Sequence, residues 1–537
     1  MTKEYSADLL IVGGGLGGVA AALGALRSGR TVILTEEYDW LGGQLTSQAV
    51  PPDEHSWVEQ FGVTRSYRQL RNGIRQYYRD HYPLTAESRA WGDLNPGAGW
   101  VSRLCAEPRV GVAVIEAMLA PWRGGGQLRV LQLWRPVAAD VDGDTVRAIT
   151  LQHRDSGERI VVSAPYVVDA TELGDLLPLT GTEYAKGFEA QSDTGEPSAP
   201  AEAQPDNVQA VSICFAVDHV DGNQVGDKPA NYDFWRQYQP DFWGGPLLGF
   251  KAPHPRTLEI TERSFTPNPD DDPLLVDADQ RRNPGDGNLW TFRRIAARRN
   301  FVPGAYGSDI CLVNWPMIDY MLGTIIDVSE EEKAAHLKSA AELSHSMFYW
   351  LQTEAPRVDG GQGFPGLRLR GDVTGTDHGL AMAPYVRESR RILPVTRIVE
   401  QDVSMAEHGN ALSRHYRDSV GIGMYRIDLH PSTGGDNYVD VESSPFEIPL
   451  GALLPRRVKN LLPGGKNMGT THITNGCYRL HPVEWNVGEV VGLLAAHCLN
   501  HGLTPHQVQA DDSLLTEFQA SLYTQGIEIR WPDVRGY

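Results

Sequence analysis

Residues 7–36 read ADLLIVGGGLGGVAAALGALRSGRTVILTE. Residues 7–12 are a short apolar run, the composition of a buried parallel strand. Gly13, Gly15 and Gly18 then complete a Gly-x-Gly-x-x-Gly sequence, with Gly14 and Gly17 also in the run. Residues 19–27 have helical composition, Gly29 supplies a C-cap, and residues 31–35 form a second strand ending at Glu36. Each glycine has a mechanical use: Gly13 for the tight strand-to-helix turn, Gly15 for close approach of a pyrophosphate, Gly18 for packing helix on strand. The helix N-terminus offers unpaired N–H groups to phosphate. Glu36, about 20 residues beyond the turn, is placed to accept hydrogen bonds from an adenosine ribose. A glycine turn alone is a weak signal, but one set between a strand and a helix with a terminal acid predicts a dinucleotide.

Length and composition bound the rest. The chain has 537 residues, 41% of them hydrophobic and 22% charged, the balance of a globular protein of about two to four domains. No apolar run approaches the roughly 20 residues that span a bilayer, and the first residues lack a secretory pattern. A cytoplasmic protein without a membrane partner is expected. The five cysteines (Cys105, Cys214, Cys311, Cys477, Cys498) stand singly and form no Cys-x-x-Cys, which argues against a disulfide framework, a zinc knuckle and a dithiol relay. A formal net charge of −20 argues against a nucleic-acid partner, whose phosphates it would repel.

Further along, residues 128–134 and 146–152 read as strands about a turn at residues 142–144, and residues 160–168 as a single apolar run ending in Asp169. Two polar, Pro-rich stretches, at about 186–209 and 253–288, are lids or solvent-facing insertions. Ser329 with Glu332 forms a capping box for a helix to about residue 353, expected to be scaffold. Near the C-terminus a strand leads into a second glycine-rich loop at Gly464 and Gly465, and Asn486, Val487 and Gly488 open a helix to about residue 500, with Gly502 as its stop. Small residues along that helix (Gly488, Gly492, Ala495, Ala496) predict close packing on another element.

The loop Gly42-Gly43-Gln44-Leu45-Thr46, shortly after Glu36 and Glu37, resembles that of the glutathione-reductase-like flavoproteins; the plainer alternative is a surface β-turn. With it, Asp169-Ala170-Thr171-Glu172-Leu173-Gly174-Asp175, Asn314-Trp315-Pro316, Arg387 to Ile392, Tyr425 to His430 and the block at 460–496 make the chain similar to the FAD-dependent oxidoreductase family FAD_oxidored, a branch of those flavoproteins. The resemblance implies an α/β fold: a Rossmann-type, glutathione-reductase-like FAD-binding domain with a discontinuous central substrate domain. The FAD domain is expected from residues 1–55, 110–182 and 455–510, the substrate domain from 56–109 and 183–454, and a C-terminal extension from 511–537. The resemblance implies FAD contacts at Gly13, Gly15, Gly17, Gly18, Glu36, Glu37, Gly42, Gly43, Gln44, Ala170, Thr171 and Glu172. It also sets the Pro136-Val137 backbone against adenine and aims the helix start at Asn486 and Val487 toward the flavin N1–C2=O edge. One departure stands out. Many relatives carry a Gly-Asp pair whose acid binds ribitol; here the stretch reads Gly464-Gly465-Lys466-Asn467, so Gly465 and Asn467 take that place.

No second Gly-x-Gly-x-x-Gly follows a strand, which lowers the case for a built-in NAD(P)H domain. The simplest chemistry left is hydride exchange between a substrate carbon and flavin N5, needing a base and a polar anchor. Imidazole titrates near neutrality, so His472 and His481 are candidate bases beside Arg479, a candidate anchor; structural roles for each histidine are equally open. Asp428 and His430, two apart, share a face if their strand is extended, so His430 is a further catalytic candidate that could line a pocket with Asp428; structural hydrogen bonding is equally open. Arg387, Arg390 and Arg391 read by default as a solvated or ion-paired structural cluster, with binding of a substrate carboxylate as the sharper alternative, and Cys105 as buried packing rather than a nucleophile or covalent flavin attachment. The expectation is an FAD enzyme that oxidises or desaturates a small molecule, with oxygen or an external acceptor as oxidant. The alternatives are a monooxygenase or reductase using external NAD(P)H, and a flavin-binding structural protein without turnover. A homodimer is compatible with this size and class.

Overall fold

The computed structural model describes residues 3–269, 287–409 and 411–534. Part of the second polar stretch, residues 270–286, lies outside the described residues.

A five-stranded parallel sheet carries the opening motif. Leu9–Val12 sits at its centre, between Val32–Glu36 and Tyr166–Asp169; Leu128–Gln132 and Leu461–Pro463 form the edges. All four residues of the central strand are buried, as a strand covered on both faces must be. In register, Val12 lies opposite both Thr35 and Asp169, and Pro463 opposite Asp169. The C-terminal ends of four strands therefore lie side by side next to the glycine turn, where ligands of open α/β sheets bind.

A second sheet pairs Lys3–Ser6 with Arg159–Ser163, then Thr145–His153 and Trp134–Asp142. The apolar run at 160–168 is thus two strands in two sheets, Arg159–Ser163 and Tyr166–Asp169. Pro165 has no N–H for a ladder, and the chain changes sheet there. The run at 128–134 likewise breaks at Leu133, whose φ is 65°, so Trp134 opens the next strand.

The helix Leu16–Arg27 lies against a C-terminal helix, His481–His501. A Cβ on Gly488 would stand 1.9 Å from the Gly17 carbonyl oxygen, and one on Gly492 would stand 2.1 Å from that of Ala21. The two backbones touch, which is what the small residues permit. The C-terminal helix starts five residues before Asn486, with Pro482 in its first turn, where the missing N–H costs nothing. It ends as expected at a left-handed Gly502.

The central part of the chain builds an antiparallel sheet in the order Arg294–Ala296, Ile310–Val313, Phe215–His219, Leu367–Leu369. The helix Glu330–Thr353 packs on it through Leu343, Met347, Trp350 and Leu351, in a core that includes Phe215, Val217, Cys311 and Val313. Its capping box forms as predicted. At the C-terminus, Asp512–Gln525 adds Leu515, Phe518 and Leu522 to the core shared with the C-terminal helix. Among the described residues no helix is long and apolar enough to cross a membrane.

Candidate active site

The opening turn makes a cradle that side chains would fill. Gly13 has φ +102°, and a Cβ on it would stand 2.1 Å from the Ala170 carbonyl oxygen. Gly42 donates its N–H to the Gly14 carbonyl at 2.8 Å, so the Gly42-Gly43 loop folds back along the turn. Glu36 accepts N–H bonds from Gly14 (2.8 Å) and Tyr38 (2.9 Å). Burial nevertheless pushes its carboxyl up to about 8, because the two bonds do not replace lost hydration. Beside it runs a cleft of about 230 Å³ lined by Gly13, Gly15, Glu36, Tyr38, Pro136 and Ala170 to Leu173. Its opposite wall is Glu330, Lys333, Ala334 and Leu337. The helix expected to be scaffold therefore also closes this cleft.

The N-terminus of the Leu16–Arg27 helix draws negative charge to itself. Gly17 donates its N–H to Glu484 at 3.2 Å, in the manner expected of the first turn of a helix. Gln44 bonds both Glu484 and the Arg479 carbonyl (2.9 Å to the latter), tying the glycine loop to the C-terminal helix. Lys466 is buried against Glu172. Burial alone would lower the ammonium, but Glu172 and Glu484 outweigh it and hold it above its usual value. Burial drives Glu484 up. Gln48 follows the same loop, buried, with neither side-chain polar atom hydrogen-bonded. A buried cleft ending in a carboxylate, a glycine cradle, a helix N-terminus, a buried lysine and an unsatisfied amide together fit a dinucleotide with a polar ring at its far end.

Beyond Arg479 lies a polar chain whose middle members, Asp428 and His430, are half-buried. Arg479 Nη1 donates to the Tyr385 hydroxyl at 2.7 Å, and Nη2 lies 3.5 Å from Asp428 Oδ2. His430 Nε2 lies 3.9 Å from the same Asp428 oxygen, and Nδ1 lies 2.6 Å from Asp319 Oδ2. Asp319 also takes Ser212 Oγ at 2.5 Å and Arg387 Nη2 at 3.1 Å. Burial would raise Asp319, but Arg387 and His430 overcome it and hold the carboxyl below its usual range. An ionised Asp319 can only accept, so His430 Nδ1 carries the hydrogen between them and Nε2 faces Asp428.

The profile of the FAD dependent oxidoreductase family matches residues 8–522. The chain belongs to that family. It is an FAD-dependent enzyme, and FAD is its cofactor. No curated protein sequence matches this oxidoreductase. Among solved structures it is similar to L-proline dehydrogenase from P. horikoshii (16% identity, TM-score 0.18, 36% of this chain and 26% of that one). It is similar also to glycerol-3-phosphate dehydrogenase from Bacillus halodurans complexed with FAD (13%, 0.23, 40% and 40%). A third is the flavin-dependent monooxygenase PieE (15%, 0.23, 41% and 36%). The oxidoreductase thus spans well under half the length of these structures, and at such scores they carry no argument about its reaction.

The structure sorts the residues singled out in the sequence. Gly13, Gly15, Glu36, Glu37, Ala170, Thr171 and Glu172 all line the cleft beside the glycine turn; Pro136 does too, whereas Val137 is not among its lining residues. Thr171 is held by Asp169 Oδ1, which accepts its hydroxyl at 2.7 Å and its N–H at 3.1 Å. Asn467 is occupied structurally: Nδ2 donates to the Asp169 carbonyl at 2.8 Å and Oδ1 accepts from Gly465 N–H at 3.2 Å. Asn486 and Val487 lie inside the C-terminal helix rather than at its start, and Asn486 turns toward Gly421. The helix end that faces the loop is His481.

The histidines separate likewise. His481 Nδ1 accepts the Asp53 N–H at 3.2 Å and Nε2 reaches the Val50 carbonyl at 3.2 Å. Burial drives it down to about 3, so it is neutral with both nitrogens engaged. His472 stacks on Phe188 at 4.1 Å, with Nδ1 2.9 Å from Glu189 in an ion-pair network with Arg391. It begins the short helix His472–Tyr478, and Arg479 caps the other end. Arg387, Arg390 and Arg391 are ion-paired to Asp319, to Asp175 and Asp327, and to Glu189 and Glu388. Cys105 is buried with its thiol pushed up to about 12 by burial, which suits packing and not nucleophilic attack. Asp319, Tyr385, Gln48, Glu484 and Arg293 escaped the sequence reading. Only Gln48, four residues beyond Gln44 in the glycine loop, had a positional signal.

Proposed function

We propose that this oxidoreductase oxidises a small organic molecule by removing hydride from a carbon next to an O–H or N–H, and that His430 takes the accompanying proton. The observation that carries this is the Asp319–His430–Asp428–Arg479 chain. Bound FAD supplies the hydride acceptor, and oxygen or an external acceptor then removes the electron pair. Asp319 holds His430 by Nδ1, leaving Nε2 to accept a proton on the side of Asp428. Arg479, braced by Tyr385 and Asp428, anchors the substrate. His481, locked between two backbone groups, positions the loop at Val50 and Asp53. Glu36 and the Gly13–Gly18 turn hold the adenosine and diphosphate, and Gln44, Gln48 and Lys466 face the ring end. We take the cofactor half to be glutathione-reductase-like, formed by residues 1–55, 110–182 and 455–510, with the ring at its junction with the central sheet.

Anaerobic mixing of the FAD-loaded enzyme with a panel of small alcohols, amines and hydroxy acids tests the reading. At least one compound should bleach the flavin without NADPH. The same bleach in His430→Asn should be slower by about 10²–10⁴-fold, the usual share of a general base, with FAD content unchanged. Bleaching that requires NADPH would favour a monooxygenase or a reductase instead.

A further inference from the structure

Resting on the roles given above to His430 and Arg479, we infer that Arg293 and Arg479 form a carboxylate-binding pair, and that the substrate is a small organic acid. Arg293 sits where the chain passes from the short helix Leu289–Phe292 into the strand Arg294–Ala296. Its carbonyl is fixed by the Leu312 N–H at 3.0 Å. Its Nε and Nη1 are buried with no hydrogen-bond partner, as is Arg479 Nε. The carboxylate facing Arg293, that of Asp53, stands off at 3.8 Å.

Other buried arginines of the same chain meet a carboxylate closely: Arg387 meets Asp319 at 3.1 Å, and Arg391 meets Glu189 and Glu388 at 2.8 Å each. Each of these, like Arg479, leaves only its Nε unpartnered, whereas Arg293 leaves Nη1 unpartnered as well. A guanidinium taken from water without matched acceptors is costly, and its planar fork suits a carboxylate. The two arginine-bearing segments meet at Asp53: its carboxylate faces Arg293 at 3.8 Å, and its N–H bonds His481, two residues beyond Arg479, at 3.2 Å. Between them the two guanidiniums leave three buried nitrogens without an acceptor, Arg293 Nε and Nη1 and Arg479 Nε. Asp428 lies between Arg479 and His430 Nε2, so anchor and base are one side chain apart. That spacing fits a short acid whose oxidisable carbon is near its carboxylate.

The test reads binding and not turnover. FAD-loaded enzyme is titrated with acetate, oxalate and benzoate, each against its uncharged amide, following flavin absorbance and melting temperature. At least one carboxylate should give a saturable change that its amide does not. Its affinity should fall by about tenfold or more in Arg293→Gln, one lost charge-assisted contact, and recover in part in Arg293→Lys. The inference is overturned if carboxylates and amides act alike, if none acts, or if Arg293→Gln binds as tightly as the unaltered enzyme. Should Arg293→Gln fail to hold FAD, the carboxylate–amide contrast and Arg293→Lys decide the matter. Carboxylate binding without flavin bleaching by any compound would sink the assignment to His430 alone. Bleaching by neutral substrates with no carboxylate binding would sink this inference alone.

Discussion

Asp319 is fully buried, yet its carboxyl lies below its ordinary range because Arg387 and His430 outweigh burial. Its use is to fix which nitrogen of His430 carries the hydrogen. An asparagine of the same shape would offer an N–H as well as a carbonyl and would no longer specify the tautomer. Asp319→Asn is therefore expected to lower kcat by about 10²-fold or more, toward the loss seen on removing the base, while KM stays near its original value. A KM that rose with kcat unchanged would show that Asp319 serves only the fold of the binding pocket. The contrast with His472 is instructive. Both histidines face a buried carboxylate, but the stack of Phe188 on His472 at 4.1 Å leaves its Nε2 buried without a partner, whereas the His430 side chain keeps 17% of its surface exposed. Sequence proximity to the C-terminal helix favoured His472 and His481; exposure and partners favour His430.

At the scale of elements, the contact between the helices Leu16–Arg27 and His481–His501 holds the cofactor end together. It joins the first and last parts of the chain and places Glu484 on the Gly17 N–H. Gly488→Ala would set a methyl 1.9 Å from the Gly17 carbonyl oxygen, a clash with backbone that a rotamer change cannot relieve. The helices must separate, at about 1–3 kcal/mol or more, and the Gly15–Gly17 turn moves with them. The expected outcome is a lower melting temperature and a lower FAD content in purified Gly488→Ala, with Ala495→Gly as a control that leaves the cradle in place. Unchanged FAD retention would dissociate the helix contact from the cofactor site. These elements also show what local sequence can carry. The strand–turn–helix, the acid at Glu36 and the small residues at Gly488 and Gly492 were legible because each is a short-range rule. The helix start was misplaced by five residues, since Pro482 was not recognised as a first-turn residue. The split at Pro165 was missed because apolar composition alone does not separate two strands lying in different sheets. Arg293 and Asp319 were invisible: their meaning arises when distant segments meet.

For the molecule as a whole, the sequence's excess of acid hides a second population of acids inside, gathered around the cofactor fold. Glu36, Asp169, Asp53 and Glu484 are all buried and all raised by burial, Glu36 to about 8 and Asp169 to about 7. A carboxyl whose folded-state value lies above its unfolded one favours the fold below the unfolded value and withdraws that favour as pH rises through the folded one. For Glu36 the window runs from its ordinary value of 4.5 to about 8. Without FAD, stability should thus decline across that window as the carboxylate is forced to ionise out of water. FAD brings ribose hydroxyls, donors to an ionised Glu36 beyond the Gly14 and Tyr38 N–H groups, so the gain in melting temperature on adding FAD should grow as pH rises across the same window. Asp169 and Glu484 contribute with the same sign, so Glu36→Gln isolates the share of one residue: its FAD-free melting temperature should vary less with pH, and its FAD-induced gain should be smaller and flatter. Melting curves at several pH values, with and without FAD, measure all four quantities. An FAD-induced gain that ignored pH, or one equally steep in Glu36→Gln, would mean that the buried carboxylate at the end of the second strand does not meet the ribose, and the adenosine end of the cleft would have to be placed elsewhere.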